Sequence, residues 1–450
     1  MSGPRASDQL RPVAVVGGGL AGMAAALALA QRGHKVELFE QNERLGGRVG
    51  SFRDARTGEL VDRCMHVGMG CCTRLLDFLR RMGVEDRFAR HRRLNFIGPA
   101  GEVCRFKPWP WLPAPLHLVP GLARLRYLGL RDRLSIARCM LRLGRLAPGQ
   151  PAGEGTVAGW LRAQGQSEAA IDRFWSVLLV SALGETVARA GLAMARKVVL
   201  DGFLRSPRGC ELFLPKVPLA EIFDRPMNDR LRQLGVEVHL GTRACAIEVS
   251  GGRCRAIVLR GGKRRQVGAL VVAVPWRQIT RLFSPEQRPL LGDDWKADRL
   301  EPAAITAVHL WFDRAITRLP HAVLVGRTSQ WMFRSSAEQS PVPPGGHYVQ
   351  IVISASNRLV DLPRGRLVEQ VCNELASIWP AARQARLLHH RVVTEREAVF
   401  SVTPESDSFR PKPQIAVPNI VLAGDWTDTG WPATMEGAIR SGRQAGLSID

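Results

Sequence analysis

Short runs of apolar residues indicate buried β-strands at several widely separated positions of the chain. Val13–Val16 is a run of four apolar residues that suits a strand of a buried parallel sheet, and a mostly apolar segment typical of a helix follows it. Alternating or uninterrupted apolar residues predict further strands at Lys35–Glu40, Val236–Leu240, Ala244–Val249, Arg255–Leu259, Ala269–Val274 and Ile420–Asp425. A helix is expected to begin after the last of them.

The periodicity changes in the middle of the chain. Apolar residues spaced three and four apart in Thr156–Leu161 and Ala170–Val180 predict that residues 97–224 are rich in helix. Ala303–Phe312 and Tyr348–Ile353 suggest a second sheet. We therefore expect an α/β protein in which a discontinuous Rossmann-like domain (10–96, 225–290 and 396–450) carries an inserted α+β substrate domain (97–224 and 291–395).

The glycines after the first strand give this pattern a chemical meaning. Gly17, Gly19 and Gly22 form G-x-G-x-x-G, in which the glycines allow a tight turn, a close approach to a pyrophosphate and close helix packing. The free N–H groups at the start of the helix, which includes Ala21, attract phosphates. Glu40 lies 18 positions beyond Gly22, where it can bind an adenosine ribose. The segment predicts a bound dinucleotide.

A second glycine cluster, Gly46-Gly47-Arg48, follows the strand that ends at Glu40. It is in a position to form a second loop on the phosphate side of the same site.

Two other interpretations of the N-terminal half concern its location. Val13–Ala30 is uncharged and long enough to suggest a membrane span, but three consecutive glycines argue against it. Met1–Pro12 is polar and does not resemble a secretory signal. The nine cysteines show no paired C-x-x-C spacing, so we expect reduced thiols and no metal site. The expected location is cytoplasmic, or on a membrane from one side.

The charge is strongly basic, with 63 Lys and Arg against 41 Asp and Glu and a net charge of +22. A solvated surface, an anionic membrane surface and nucleic acid each fit such a balance. The arginines are spread along the chain and no RNA-binding or zinc-finger motif accompanies them, so no nucleic-acid partner is expected.

Residues 105–142 bear on the membrane alternative. Four prolines and the pair Trp109 and Trp111 precede a segment in which leucines and arginines alternate at helical spacing. Tryptophans followed by a basic amphipathic helix are typical of an interfacial anchor, which would place the protein on the inner face of the cell membrane. Alternatively, the leucines of the segment face a core: Leu122, Leu125, Leu128 and Leu130.

The C-terminal segment suggests which dinucleotide binds. Gly424 allows close approach of the backbone to a ligand, and Asp425 can bind ribityl hydroxyls. Thr434 and the N–H groups around Met435 and Glu436 begin a helix whose positive end can stabilise a reduced flavin ring. An ordinary capping box would use similar residues, but it would not need the preceding Gly-Asp strand end.

With these motifs the chain resembles the FAD-dependent amine-oxidase-like superfamily over essentially its whole length. Val61–Leu76, which includes His66, looks like a segment of carotenoid and squalene-associated desaturases. Gly424–Ala438, Leu310–Asp313 and Gln330–Phe333 are most similar to the squalene-associated branch, the hydroxysqualene dehydroxylases. Arg63-Cys64-Met65 departs from that pattern, which leaves the contacts near His66 open.

The resemblance implies a glutathione-reductase-type FAD domain with non-covalently bound FAD. The residues expected to contact FAD are Gly17, Gly19, Ala21, Gly22, Glu40, Arg48, Cys245, Gly424, Asp425, Thr434, Met435 and Glu436.

It also implies reductive removal of the hydroxyl of hydroxysqualene to give squalene, with an electron donor that the sequence does not identify. His66 is a candidate proton donor, or a histidine packed beside the flavin. Phe203, Trp311 and Phe333 are candidates for the lining of an apolar isoprenoid tunnel, or ordinary core aromatics.

Three other functions stay open. A carotenoid desaturase would oxidise a polyene. A flavin amine oxidase would cage its amine between aromatic rings, and with only two tyrosines, neither in the C-terminal motif, the cage would have to use Trp426 or Trp431. A basic flavin-binding protein that docks on membranes or RNA without turnover is the non-enzymatic alternative.

Overall fold

The computed structural model describes residues 11–146, 155–292, 294–334 and 346–450. The expectation that Met1–Pro12 is not a secretory signal, and the domain boundary at residue 10, fall mainly outside these residues.

A parallel sheet of five strands forms from three separated parts of the chain. In spatial order its strands are Val236–His239, Val36–Phe39, Val13–Val16, Ala269–Val272 and Ile420–Leu422. All four neighbouring pairs are parallel. The central strand Val13–Val16 is buried at each position, which explains why its sequence is apolar throughout instead of alternating.

Helices cover one face of this sheet. They are Leu20–Gln31, Thr73–Met82, Arg225–Gln233 and Met435–Leu447. The first and last of them pack against each other, although more than 400 residues separate their starting points. The helix after the glycine loop and the C-terminal helix are therefore neighbours, and each begins beside the same edge of the sheet.

A second, mostly antiparallel sheet has seven strands. Their spatial order is Leu387–Phe400, Pro302–Phe312, His347–Ile353, Trp331–Arg334, His321–Leu324, Leu94–Ile97 and Val103–Phe106. The one parallel pair joins His321–Leu324 to Leu94–Ile97. Helix Arg364–Ile378 packs on this sheet through Leu367, Val371 and Leu375, which share a hydrophobic core with the strands.

Helices and helical turns dominate the described residues between 116 and 204. They are Leu116–Leu118, Val119–Ala123, Leu130–Arg145, Val157–Ala163, Glu168–Ala170, Ile171–Ser176, Val177–Leu183, Leu192–Val199 and Leu200–Leu204. Their apolar faces join the largest hydrophobic core of the molecule.

Three smaller β units complete the architecture. One sheet contains Ala244–Ser250, Arg253–Leu259 and Arg264–Gln266, and another contains Gly68–Met69, Leu212–Pro215 and Phe88–His91. Ser51–Arg53 pairs with Leu60–Asp62 as a hairpin. Short helical elements occur at Glu85–Arg87, Ala220–Phe223, Trp276–Leu282, Pro285–Leu291, Ala297–Arg299, Ser356–Leu359, Pro380–Gln384 and Ser406–Phe409.

The expected fold class is confirmed: an α/β protein whose parallel, Rossmann-like sheet is interrupted by an α+β part. The five parallel strands lie within 10–96, 225–290 and 396–450. The second sheet reaches across two of these limits, because Leu94–Ile97 and Leu387–Phe400 belong to it. The exact division into domains stays a prediction.

The surface of residues 103–141 is unusually apolar. We call seven exposed side chains there the apolar patch: Val103, Trp111, Leu116, Val119, Leu130, Leu134 and Leu141. Among the described residues only one other large hydrophobic side chain, Leu447, is exposed. Leu122, Leu125 and Leu128 are buried, as the core interpretation expects, whereas Leu130 is 68% exposed. Within the described ranges, no helix is long and apolar enough to cross a bilayer.

Candidate functional site

The first glycine loop joins strand Val13–Val16 to helix Leu20–Gln31 at the carboxyl edge of the parallel sheet. Gly17 has φ = +111°, a conformation that favours glycine. A Cβ atom at Gly22 would lie 1.8 Å from the carbonyl oxygen of Gly17, so this close packing requires glycine at position 22. A Cβ at Gly19 would meet no atom within 4 Å. The open side of the loop is therefore at Gly19, where the fingerprint places a pyrophosphate.

The start of the following helix keeps the features of a phosphate site. No side chain caps its first turn, which contains Ala21. The carbonyl of Ala21 lies against the C-terminal helix, where a Cβ at Gly442 would be 1.9 Å from that oxygen. The two halves of the predicted cofactor site thus meet at this turn.

Glu40 is held at the glycine loop. Its Oε2 accepts a hydrogen bond of 2.7 Å from the N–H of Gly18. Its Oε1 accepts bonds of 2.9 and 2.6 Å from the backbone N–H and the side-chain amide of Asn42. Only 5% of the surface of Glu40 is exposed, so its carboxylate is held in one position beside the glycine loop, where the fingerprint places a ribose. The sequence pattern did not identify Asn42 as its partner.

Cys245 lies on strand Ala244–Ser250, close to the same end of the site. The strand begins just after Thr242, whose N–H donates to the carbonyl of Glu40 at 2.7 Å. Cys245 is exposed, and its thiol has only a long contact of 3.8 Å with the carbonyl of Arg243. Its placement near Glu40 leaves it accessible, and its contact with FAD stays a prediction.

The second glycine cluster lies directly beside the first. The N–H of Gly46 donates to the carbonyl of Gly18 at 2.9 Å, and Gly46 forms an isolated parallel bridge with Gly19. A Cβ at Gly47 would be 3.2 Å from the Cα atom of Gly19. Arg48 is the next residue, so its backbone lies on the side of the loop where a pyrophosphate is expected.

Arg48 connects this loop to the C-terminal motif. Its Nη2 donates to Oδ1 of Asp425 at 2.6 Å, and its Nη1 donates to the carbonyl of Ala398 at 2.7 Å. Gly424 has φ = +154°, and a Cβ there would lie 2.3 Å from Nε1 of Trp426. Asp425 is therefore presented by a backbone turn that requires glycine, and it faces the arginine of the other half.

Helix Met435–Leu447 begins as the sequence indicates. Thr434 is its N-cap residue, and its hydroxyl accepts a bond of 3.1 Å from the N–H of Gly437. The first N–H groups of the helix, at Met435 and Glu436, are the positive end that the flavin prediction requires.

The side chain of Glu436 has a role that sequence reasoning missed. It is fully buried and accepts bonds of 3.2 and 2.7 Å from the N–H groups of Arg74 and Leu75, in the first turn of helix Thr73–Met82. Arg440 donates to it at 2.6 Å. The carboxylate therefore stabilises the start of a neighbouring helix, and the backbone N–H is the group of this residue that can face a flavin.

His66 lies near Arg48, and a hydrogen bond fixes the orientation of its ring. Its Nδ1 lies 2.9 Å from the carbonyl oxygen of Cys64. A carbonyl only accepts, so Nδ1 carries the hydrogen and Nε2 of the neutral ring is an acceptor. Burial lowers the pKa of His66, and the charge of Arg48 acts in the same direction, against the effect of the bond to Cys64.

The segment Arg63-Cys64-Met65, which departs from the pattern of the related desaturases, is bound by a residue of the second sheet. Oε1 of Gln350 accepts a bond of 2.6 Å from the N–H of Met65, and its Nε2 donates to the carbonyl of Asp62 at 3.3 Å. Gln350 is almost fully buried. No local motif identifies Gln350, because the two residues that it binds, Met65 and Asp62, lie 285 and 288 positions away in the sequence.

A small apolar cavity of about 10 Å³ lies among the inserted helices. Its lining contains no polar side chain: Phe96, Phe106, Leu118, Leu122, Met140, Phe174, Leu178 and Phe203. Phe203 is thus a lining residue. Trp311 is not; it packs with Val61 and Tyr348 in a separate small cluster, and its Nε1 donates to Glu59 at 3.1 Å. Phe333 shares the large core but stacks on Trp331 and does not line this cavity.

The two tryptophans proposed for an amine cage are already occupied. Trp426 is 1% exposed, and its Nε1 donates to the carbonyl of Val274 at 3.0 Å. Trp431 has the ammonium of Lys197 and the guanidinium of Arg440 over its ring, each 4.9 Å from the centroid. Trp426 is thus buried in the core, and Trp431 already has two cations over its ring.

Sequence comparisons identify relatives of this chain. Residues 20–446 match the family model described as flavin containing amine oxidoreductase. The chain is 28% identical to a hydroxysqualene dehydroxylase of Rhodopseudomonas palustris, over 97% of each protein. It is also 28% identical to a chloroplastic 15-cis-phytoene desaturase of Narcissus pseudonarcissus, over 100% of this chain and 80% of that protein.

Solved structures share the fold. An oxidoreductase from Methanosarcina mazei superposes with a TM-score of 0.74 at 16% identity, covering 96% of this chain and 99% of that one. Wild-type putrescine oxidase bound to putrescine gives a TM-score of 0.68 at 15% identity, with 97% and 98% covered.

The residues around the two glycine loops, Arg48 and the C-terminal helix fit FAD, because the loops leave room for a pyrophosphate and the helix offers N–H groups to the flavin. With the match over residues 20–446, the chain belongs to the flavin-containing amine oxidoreductase family, and it is an FAD-dependent oxidoreductase.

Proposed function

We propose that this oxidoreductase removes the hydroxyl group of hydroxysqualene reductively and forms squalene, at an anionic membrane surface. Two bacterial relatives bear the name hydroxysqualene dehydroxylase, and each matches at 28% identity over at least 96% of this chain. The C-terminal motif Gly424–Ala438 resembles the same branch.

The observation that carries the substrate class is the apolar cavity. Eight apolar side chains line it without a polar group. Such a lining gives a hydrocarbon chain favourable burial and offers a charged ligand no partner, so burying a charge there would be costly. An isoprenoid with a single hydroxyl matches the chemistry of this lining, and its entry would require the side chains to move apart, because the space between them is only about 10 Å³.

The cavity lies beside the apolar patch. Leu118 lines the cavity, while Leu116 and Val119, on either side of His117 and Leu118, are 54% and 53% exposed. A substrate dissolved in a bilayer would therefore meet the cavity through the side chains that contact the lipid. Burial of the patch in the membrane interface would supply the hydrophobic part of the binding.

Charge supports the choice of an anionic surface. Residues 103–146 carry nine basic side chains and one acidic side chain, Asp132. Arg124, Arg131 and Arg138 are exposed beside the patch. Basic residues close to anionic lipids contribute roughly 1 kcal/mol each, so this face is suited to a negatively charged leaflet. A location on the inner face of the cell membrane belongs to this proposal.

The proposed reaction replaces a C–O bond with a C–H bond. When bound and reduced, FAD supplies the hydride equivalent, and an unidentified electron donor restores its reduced state. Arg48, Asp425 and the start of helix Met435–Leu447 would hold and orient the cofactor. The apolar walls exclude water from the reacting carbon, and the departing hydroxyl takes up a proton and leaves as water.

His66 does not fit the proton-donor role well in its neutral state. Because Nδ1 is used on Cys64, the free Nε2 of the neutral ring accepts a proton and does not donate one. The lowered pKa keeps the ring mostly neutral near neutral pH. An accepting histidine favours the second candidate function, carotenoid desaturation, in which a proton is removed from the substrate.

One pair of incubations decides between the two. Under anaerobic conditions, the chemically reduced FAD-loaded protein in anionic vesicles receives hydroxysqualene, and the oxidised protein receives phytoene. The proposal predicts squalene from the first incubation and unchanged phytoene in the second, with the oxidised protein plus hydroxysqualene as the matched control. Desaturated phytoene without squalene would select the alternative. Absence of both products, with an alkylamine oxidised instead, would contradict both.

A further inference from the structure

Two anchored cations cover the indole ring of Trp431. Nζ of Lys197 and Cζ of Arg440 each lie 4.9 Å from its centroid, and Trp431 is 8% exposed. A cation over an indole face is attracted by the ring quadrupole, and tryptophan is the best aromatic partner for this interaction. The ring therefore already binds the kind of group that an ammonium substrate would present.

Both cations are fixed by carboxylates. Lys197 pairs with Oδ2 of Asp201 at 2.7 Å, and Oδ1 of the same carboxylate accepts from Arg205 at 2.5 Å. Arg440 pairs with the fully buried Glu436 at 2.6 Å. The side chain of Lys197 is 29% exposed and that of Asp201 is 12% exposed. The ammonium is consequently held over the ring by a partly shielded ion pair on its own helical segment.

Trp431 lies where the inserted helices contact the C-terminal segment that is predicted to bind FAD. Trp431 is three residues before Thr434, the N-cap of the C-terminal helix, and Arg440 belongs to that helix. Lys197 comes from helix Leu192–Val199, and the turn that follows it contains Phe203, which lines the apolar cavity. A ligand that reaches the cofactor from the cavity would approach this junction.

We propose that Lys197 is a specificity-determining residue that excludes amines and other cationic ligands from Trp431 and reserves the site for uncharged substrates. The inference rests on the proposed function, because it takes the junction at Trp431 as part of the substrate path. To reach Trp431, an ammonium ligand would have to displace Lys197 from the indole ring, which breaks a favourable cation–π contact. Otherwise it would lie beside the positive charges of Lys197 and Arg440, which repel it. A neutral isoprenoid meets neither obstacle.

The test compares a cation with a neutral molecule of the same length. Binding of hexylammonium and of 1-hexanol to the FAD-loaded protein is measured by equilibrium dialysis and by perturbation of the flavin absorbance. Lys197→Met keeps the length of the side chain and removes its charge, and Lys197→Arg keeps the charge. We expect Lys197→Met to bind hexylammonium about tenfold more tightly than the wild type, within the range of a desolvated cation–π contact. Binding of 1-hexanol should be unchanged, and Lys197→Arg should behave as the wild type.

Two results would overturn the assignment. One is equal affinity of Lys197→Met and the wild type for hexylammonium. The other is an equal gain for 1-hexanol, since side-chain volume and not charge would then set the selectivity. If Lys197→Met does not retain FAD, Lys197→Gln provides the same comparison with a polar neutral side chain.

The outcome is separable from the proposed reaction, because dialysis needs no turnover. Charge selectivity without squalene formation would contradict the reaction alone. Squalene formation without charge selectivity would contradict the role of Lys197 alone.

Discussion

Arg48 and Asp425 form an ion pair of 2.6 Å across a sequence separation of 377 residues. Arg48 extends from the second glycine loop, and Asp425 lies just after Ile420–Leu422, the last strand of the parallel sheet. The carboxylate side chain is 5% exposed and the guanidinium is 34% exposed. Two residues that the sequence assigns separately to FAD thus bind each other, and the pair fixes the distance between the two halves of the cofactor site.

Replacing Arg48 with Met should cause loss of FAD and lower the stability of the protein. The variant leaves Asp425 with an almost buried, unpaired charge. Removing one partner of a fully buried pair costs roughly 3–5 kcal/mol, and we expect about 2 kcal/mol here because the arginine is partly exposed. Flavin content after gel filtration and the free energy of unfolding in urea measure the two effects.

Arg264→Gln is the matched control for that change. Arg264 pairs with Glu248, but its side chain is 63% exposed and the pair lies on the outer three-stranded sheet. An exposed ion pair contributes little to stability, so flavin content and the free energy of unfolding should hardly change. Full FAD occupancy in Arg48→Met would contradict the role given to the ion pair.

Gly19→Val should separate folding from cofactor binding. Gly19 has φ = −76°, which any residue can adopt, and its Cβ position has no atom within 4 Å in the protein. The valine side chain would instead occupy the space of the pyrophosphate. We expect a folded protein with little bound flavin, as shown by circular dichroism and by absorbance of the purified sample.

Gly365→Val is its control, because position 365 also has no atom within 4 Å of a Cβ and lies in the first turn of helix Arg364–Ile378. It should retain FAD. Undiminished flavin in Gly19→Val would refute the placement of the loop.

The parts of this molecule that the sequence predicts are those encoded locally. The strand Val13–Val16, the glycine loop and the N-cap Thr434 each depend on residues a few positions apart, and each occurs where its pattern indicates. The sequence also identifies Arg48 and Asp425 as candidates for the cofactor site, yet nothing in the pattern indicates that they bind each other.

Local patterns could not predict which side chains bind residues that are distant in the sequence. Glu436 satisfies N–H groups of a helix 361 residues away, and Gln350 holds Met65 from the second sheet. Trp311 pairs with Tyr348 across the second sheet and packs with it in a small cluster, a contact that no local pattern predicts; its place in a substrate tunnel stays a prediction. The leucines of residues 122–134 divide between core and surface because the chain bends between a short helix and the helix that begins at Leu130.

The apolar patch should control binding to membranes. We expect the combined variant Trp111→Ser, Leu130→Ser and Leu134→Ser to cosediment with anionic vesicles at least about tenfold more weakly than the wild type, because a fully buried large apolar side chain contributes roughly 1.5–3 kcal/mol. Wild-type binding should also weaken as salt rises, since surface attraction is screened over about 8 Å at physiological ionic strength.

Leu447→Ser serves as the control for the patch. Leu447 is 45% exposed but lies on the C-terminal helix, outside residues 103–141. Its replacement should leave vesicle binding unchanged. Equal cosedimentation of the triple variant and the wild type would remove the patch from the proposal.

Asp62 should make stability depend on pH. Burial raises its pKa from 3.8 to about 7, although the hydroxyl of Ser51 and the N–H of Leu219 donate to Oδ1 at 2.6 and 2.7 Å. Above pH 3.8 the unfolded chain loses this proton while the folded protein keeps it, so the contribution to stability falls as the pH rises towards 7 and the decline ends above that value. Each unit of pKa difference corresponds to about 1.4 kcal/mol.

Asp62→Asn tests this linkage, because the amide keeps an acceptor oxygen for Ser51 and Leu219 but cannot ionise. We expect the Tm of the variant, relative to the wild type, to rise between about pH 5 and about pH 8. Asp229→Asn, at an exposed position on helix Arg225–Gln233, should show no such trend. Thermal unfolding followed by circular dichroism gives the comparison. A Tm difference that stays constant over this range would show that Asp62 titrates alike in the folded and unfolded states, and its burial would then carry no pH-dependent cost.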